Sequence, residues 1–188
     1  MGTSINQSSP HTLGWSAAQA GYSNDKIPIP RVATEVWRAA VNQEIGNVAQ
    51  LIAQPIVARI GALAIEAKSA ADLSHATARL LSQSKQSSLG TEIARRAAIQ
   101  CLSFPVRADA YAERVFAEAT AYLVSRDLPG FVGLGRTQTV GDSMEFRSAV
   151  MNHVVNLART VEQPKTFDSK SWATHVRNVV KRLRSQDE

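Results

Sequence analysis

A glycine-rich segment at residues 130–137 has a spacing that resembles a phosphate-binding loop. It reads G-F-V-G-L-G-R-T, so Arg136 stands where a P-loop has lysine. A phosphate cradle also needs a strand before it and a helix directly after it, because its backbone N–H groups converge at a helix N-terminus. Here a helical pattern precedes the segment, and the next helical pattern begins only near Asp142. We therefore interpret residues 130–137 as a loop between two helices.

Metal-ligating and nucleophilic residues are scattered along the chain. The four histidines are His11, His75, His153 and His175. No two of them have the H-E-x-x-H or H-x-x-x-H spacing that places two ligands on one helix face. Cys101 is the single cysteine and falls on an apolar stripe, so we interpret it as a buried, inert thiol. The sequence indicates no catalytic site, no metal and no cofactor.

The clearest charge pattern lies near the C-terminus. Arg177, Lys181 and Arg184 repeat at intervals of four and three residues, and Lys170 belongs to the same helical pattern. Such a ridge could follow a nucleic-acid backbone, because each neutralised phosphate releases counterions. It could equally be a solvated face that complements the C-terminal end of the helix dipole. Nucleic-acid binding by these four residues is therefore one hypothesis for function.

Overall charge and composition limit where the protein works. The formal net charge is +5, which allows an acidic partner such as nucleic acid. The N-terminus has no signal-peptide pattern, and no apolar run approaches the length of a membrane span. Together with the single cysteine, these features predict a cytoplasmic protein without a membrane segment.

Residues 1–30 differ in composition from the rest of the chain. They are rich in Ser, Thr, Asn, Gln, Gly and Pro, with Trp15 and Tyr22 as isolated large apolar side chains. So little apolar surface cannot offset the loss of chain entropy on folding, and we predict an extended N-terminal arm. The two aromatic residues indicate that the arm docks, either onto its own core or onto a partner.

From residue 31 onward, apolar residues recur at helical spacing and no strand pattern is present. Pro55 can open one helix, while Ser69 with Asp72, and Asp142 with Glu145, have the spacing of N-terminal capping signals. We predict an all-α fold: a single helical-bundle-like domain of about seven helices over 31–188, preceded by the arm over 1–30. The predicted core contains Val36, Trp37, Ile60, Leu63, Leu80, Ile93, Val115, Phe116, Tyr122, Val154, Val155 and Val179.

The chain opens with Met1-Gly2-Thr3-Ser4. A small residue at position 2 favours removal of the initiator methionine, which would leave an unhindered glycine amine that an enzyme acting on protein N-termini could admit. An ordinary start-codon context with no further meaning is the alternative.

This opening, the Ser/Pro-rich arm and its tryptophan resemble the QatB family, the small component of the bacterial four-gene Qat antiphage system. The resemblance implies three partners: an ATPase, a TatD-like nuclease, and QatC, which is similar to the 7-deazaguanine-synthesis enzyme QueC. It further implies that Gly2 accepts a 7-deazaguanine-type group from that QueC-like enzyme.

These observations leave three hypotheses for function. The first is a non-enzymatic accessory protein of a bacterial antiphage defence system, which presents Gly2, Thr3 and Ser4 to a QueC-like partner, with Trp15 and Tyr22 as anchors on that partner. The second is a nucleic-acid-binding helical domain that uses the basic C-terminal helix. The third is a helical enzyme, for which the loop around Gly135 is the one positive feature.

Overall fold

The computed structural model describes residues 10–41, 47–84, 88–102, 108–164 and 166–185. Side chains at 10–16, 84, 108 and 127–129 are outside this description. The helices are α1 (Pro10–Ser23), α2 (Ile29–Val41), α3 (Val48–Ile52), α4 (Pro55–Glu66), α5 (Ala70–Ser84), α6 (Leu89–Cys101), α7 (Ala108–Asp127), α8 (Val140–Arg159) and α9 (Ser169–Arg184), with a 3-10 turn at Leu128–Phe131 after α7.

The all-α prediction is confirmed for the described residues, whose β structure is limited to one isolated bridge between Leu134 and Thr137. Eight α-helices follow residue 28 in this part of the chain, against the seven or so expected. Pro55 opens α4, and the side chain of Ser69 accepts a hydrogen bond from the backbone N–H of Asp72, as their spacing predicted. The bundle-like arrangement remains a prediction.

The predicted extended arm over 1–30 is wrong for the segment that becomes α1. Pro10–Ser23 is helical and packs against α2, and α2 itself begins at Ile29. The prediction relied on the low number of apolar residues in this segment. Helix α1 is instead stabilised by the burial of Ala18 and Tyr22 against the body of the protein. Residues 1–9 lie outside the described part.

Large aromatic side chains fill the centre of a core that is otherwise rich in alanine and valine. Trp37 on α2 and Phe116 on α7 are fully buried, with ring centroids 5.5 Å apart. The indole N–H of Trp37 donates a hydrogen bond to the hydroxyl of Thr120, 3.1 Å away. Helices α2 and α7 are therefore joined by both packing and a buried hydrogen bond.

A second aromatic cluster fixes α9. Trp172 is fully buried, and its indole N–H donates to the carbonyl oxygen of Ile52 at 2.7 Å. The ring centroids of Tyr111 and Trp172 lie 5.7 Å apart. The hydroxyl of Tyr111 donates to the carbonyl oxygen of Val57 at 2.8 Å. These bonds attach α9 and α7 to the chain around α3 and α4, so the face that α9 turns to solvent is fixed.

The predicted core is buried except at three positions. Leu63 and Val155 are half-buried, and Tyr122 is 38% exposed. The prediction was wrong for Tyr122 because the buried stripe of α7 continues through Leu123 and Val124. Tyr122 instead lies in a surface cleft formed by residues of α6, α7 and α8.

Truncating Phe116 to alanine is expected to lower the free energy of unfolding by roughly 3 to 5 kcal/mol, because a fully buried ring leaves a cavity. Chemical denaturation measures the change. Tyr122→Ala is the matched control, since it removes an aromatic ring from the exposed side of the same helix and should cost less than about 1 kcal/mol. Equal losses in the two variants would contradict the assigned face of α7.

Candidate functional site

Most of the N-terminal residues that the accessory-protein hypothesis uses are not among the described residues. Gly2, Thr3 and Ser4 lie outside the described residues, and so does the side chain of Trp15, whose backbone belongs to α1. Tyr22 is described and is fully buried. Its ring lies edge-on against Phe131 and Phe146, with centroid distances of 5.3 and 5.4 Å. Tyr22 therefore docks α1 onto the protein's own core, and its prediction as a partner anchor is wrong.

The basic residues of the second hypothesis are positioned by α9. The carboxylate of Asp168 caps this helix by accepting hydrogen bonds from the backbone N–H groups of Lys170 and Ser171. One side of α9 is buried through apolar residues that include Val179 and Leu183. The opposite side carries four exposed cations: Lys170, Arg177, Lys181 and Arg184.

Three of these four cations line a groove between α9 and the helices α2 and α3. Arg177, Lys181 and Arg184 are joined there by Arg38 of α2, around a cavity of about 800 Å³. Lys170 does not line the groove; it lies seven residues before Arg177, or about 10 Å along the helix axis. We refer to this cavity as the basic groove.

Arg38 lines the basic groove and binds the C-terminal end of α9. Its guanidinium donates to the carboxylate of Glu35 at 2.6 Å and to the carbonyl oxygen of Arg184 at 3.1 Å. The second bond satisfies a carbonyl at the C-terminal end of α9, where a positive charge is favourable. Sequence analysis missed Arg38, because its pairing with Glu35 at i, i+3 is typical of an ordinary helix surface.

The glycine-rich loop at residues 130–137 acts as a clamp on the end of α1. Arg136 donates hydrogen bonds from one guanidinium nitrogen to the carbonyl oxygens of Asn24, at 2.6 Å, and Ile27. Its guanidinium carbon also lies 5.3 Å from the centre of the Phe146 ring. Burial lowers the pKa of Arg136, opposed by the nearby charge of Asp25. The arginine that stands in the P-loop lysine position thus binds main-chain carbonyls of this protein.

Gly135 lets this loop approach α1 closely. Its backbone φ angle is +50°, a conformation that residues other than glycine rarely adopt. A Cβ atom at this position would also collide with the carbonyl oxygen of Ser23. Both features require glycine.

Gly135→Ala is therefore expected to lower the free energy of unfolding by more than about 1 kcal/mol. Gly130→Ala is the matched control in the same loop, since an added Cβ there meets no atom within 4 Å. Thermal and urea denaturation of both variants measure the difference. A Gly135→Ala variant as stable as Gly130→Ala would contradict the clamp.

Two side chains that could carry chemistry, Cys101 and His175, are buried in the core. Burial raises the pKa of the Cys101 thiol to about 11, with a smaller opposing effect from Arg114. The predicted burial of this thiol is confirmed. His175 is 3% exposed and lies against the rings of Phe116 and Trp172. Its Nδ1 donates to the carbonyl oxygen of Glu162 at 2.9 Å, and its Nε2 is buried without a partner among the described residues.

Burial lowers the pKa of His175, while the hydrogen bond to Glu162 partly opposes this effect. Because the folded pKa is depressed, the unfolded chain takes up the proton first as the pH falls below about 6.5. We expect the melting temperature to be highest above this pH and to fall on acidification.

His175→Gln cannot ionise, so its melting temperature should change less between pH 7.5 and 5.5 than that of the wild type. The matched control is His75→Gln, which removes an exposed histidine and should keep the wild-type dependence. Identical acid-induced changes in the wild type and in His175→Gln would show that the buried imidazole does not cause the effect.

Within the described ranges, no group of three or more His, Cys, Asp or Glu side chains is arranged to hold a metal ion. No helix among these residues is both long enough and apolar enough to cross a lipid bilayer.

Comparisons with known proteins assign no family to this fold. No family model matches the chain, and no curated protein or solved structure is significantly similar to it.

Proposed function

We propose that this protein is a non-enzymatic accessory component of a bacterial antiphage defence system. It presents the N-terminal segment that contains Gly2, Thr3 and Ser4 to a QueC-like enzyme, for modification of the glycine amine, for assembly of a complex, or for both. The proposal rests on the resemblance of residues 1–4 and of the Ser/Pro-rich segment with Trp15 to the QatB family. An ATPase and a TatD-like nuclease are the further partners that this resemblance implies.

The structural observation that supports this proposal is the attachment of α1. Tyr22 and the loop around Arg136 hold the C-terminal end of α1 against the body of the protein. Residues 1–9 are therefore joined to a helix with a defined place on the surface, and Trp15 lies on that helix two turns before Tyr22. A partner could then contact the N-terminal segment and the surface of α1 together.

The residue types at the start of the chain suit an enzyme that acts on an amine. Glycine has no side chain to obstruct a narrow pocket, so its amine can approach a reactive centre closely. Thr3 and Ser4 are small and carry hydroxyl groups that can hydrogen-bond to the walls of a channel. A bulky residue at position 2 would be excluded by the same pocket.

Intact-mass spectrometry tests this proposal directly. The protein is co-expressed with a QueC-like enzyme, and the enzyme's 7-deazaguanine precursor is supplied. The wild type should then gain the mass of one 7-deazaguanine-type group on the N-terminal peptide. Gly2→Trp, or a short tag before Gly2, should abolish the gain without changing the melting temperature, because the first residues of a chain generally contribute little to global stability. The matched control carries the same tag at the C-terminus. Retention of the mass gain in the N-terminally tagged protein would overturn the proposal.

Nucleic-acid binding by Lys170, Arg177, Lys181 and Arg184 remains a prediction. Three of these residues line the basic groove, where they could neutralise phosphates, but the groove also holds apolar side chains that contribute nothing to phosphate binding.

A further inference from the structure

We propose that the basic groove binds an acidic, amphipathic helix of a protein partner, with its apolar side on the groove floor and its carboxylates against α9. The proposal commits to a protein segment and not to nucleic acid. It does not depend on Gly2 or on a QueC-like enzyme, so it can fail or succeed independently of the proposed function.

The charge of the groove selects an acidic occupant. Arg177, Lys181 and Arg184 are exposed and form no ion pair with another described residue. The described residues that line the groove include no aspartate or glutamate. Beside Arg38, which is paired with Glu35, three further cations therefore face one cavity, and a partner that supplies carboxylates there would relieve their mutual repulsion.

The spacing of these cations suits a helix. Residues 177, 181 and 184 rise about 6 and then 4.5 Å along α9, so their positions span roughly 10 Å. A partner helix lying alongside α9 repeats side chains on one face at the same i, i+4, i+7 intervals. Aspartate or glutamate at those positions would meet the three cations in register.

The floor of the groove suits the apolar side of the same helix. Val41, Ala49, Ala53 and Ala173 are part-buried and contribute the accessible apolar surface, while Val176 and Val180 lie almost fully buried beneath it. Small side chains allow two helix axes to approach closely, since the separation of packed helices depends on the residues at the contact. An amphipathic helix uses such a floor by burying one face in it.

The arrangement favours a protein segment over nucleic acid. The nucleic-acid hypothesis uses Lys170 together with the three groove cations, but Lys170 does not line the groove. Binding of a phosphate backbone would also leave the apolar floor in contact with water.

The test begins with an unbiased phage-displayed library of 16-residue peptides selected on the full-length protein. We expect enriched peptides with apolar residues at i, i+3 or i+4, and with aspartate or glutamate flanking them. Binding of the synthesised peptides is then measured by fluorescence anisotropy at 50 and 150 mM salt. Failure to enrich any peptide, or enrichment of peptides without acidic residues, would overturn the proposal.

Charge-reversal pairs on the same helix locate the binding site. Arg177→Glu with Lys181→Glu should weaken binding of the selected peptides about tenfold or more, because two favourable contacts become repulsive. Lys170→Glu with Arg182→Glu makes the same net charge change outside the groove and should leave affinity within about twofold. Both double variants should melt close to the wild type, since all four side chains are exposed. Equal weakening by the two pairs would point to a diffuse charge effect and overturn the proposal.

Filling the floor tests the apolar contact without changing charge. Ala173→Leu projects a larger side chain into the groove and should abolish binding of the selected peptides. Labelled 20-nucleotide single-stranded and duplex DNA form the competing arm of the test. An unchanged peptide affinity in Ala173→Leu would show that a helix does not occupy the groove. So would a selection that yields no peptide, together with DNA binding that the Arg177→Glu, Lys181→Glu variant loses.

Discussion

The structure depends on the need to pair the polar atoms of large aromatic side chains that fill an alanine-rich core. A buried indole N–H or phenol O–H that finds no acceptor is costly. Trp37, Trp172 and Tyr111 donate to the Thr120 hydroxyl and to the carbonyls of Ile52 and Val57, respectively. Each bond joins segments far apart in the chain, since donor and acceptor are separated by 83, 120 and 54 positions in the sequence. The aromatic anchors thereby determine which helices pack together.

The basic groove follows from this packing. Because Trp172 is held at Ile52, the buried stripe of α9 faces the core, and Arg177, Lys181 and Arg184 must face outward beside α2 and α3. The bond from Arg38 to the last carbonyl of α9 reinforces the same geometry. An amphipathic helix that would be an ordinary surface element elsewhere becomes one wall of a charged cavity.

Sequence reasoning succeeded where local chemistry decides the structure and failed where tertiary contacts decide it. Proline and hydroxyl caps located α4 and α5, since these signals act within one helical turn. The capping signal of α8 was predicted at Asp142 and Glu145, three residues too late. Thr139 is the N-cap, and Asp142 is its reciprocal partner. Helix α1 was missed because Tyr22 stabilises it through Phe131 and Phe146, which are remote in sequence. The cations of α9 were found, but their groove was not, because Arg38 reaches them from 146 residues away.

Hydrogen exchange of the tryptophan indole N–H groups tests the role of the aromatic anchors most directly. In a two-dimensional ¹H–¹⁵N NMR spectrum, with signals assigned by Trp→Phe variants, the account predicts slow exchange for Trp37 and Trp172. Protection of both should be comparable to that of the core backbone amides, because exchange then requires opening of the helix packing. Exchange of the Trp172 indole at the rate of a solvent-exposed tryptophan would contradict the account, since α9 and the groove it forms would then lack their anchor.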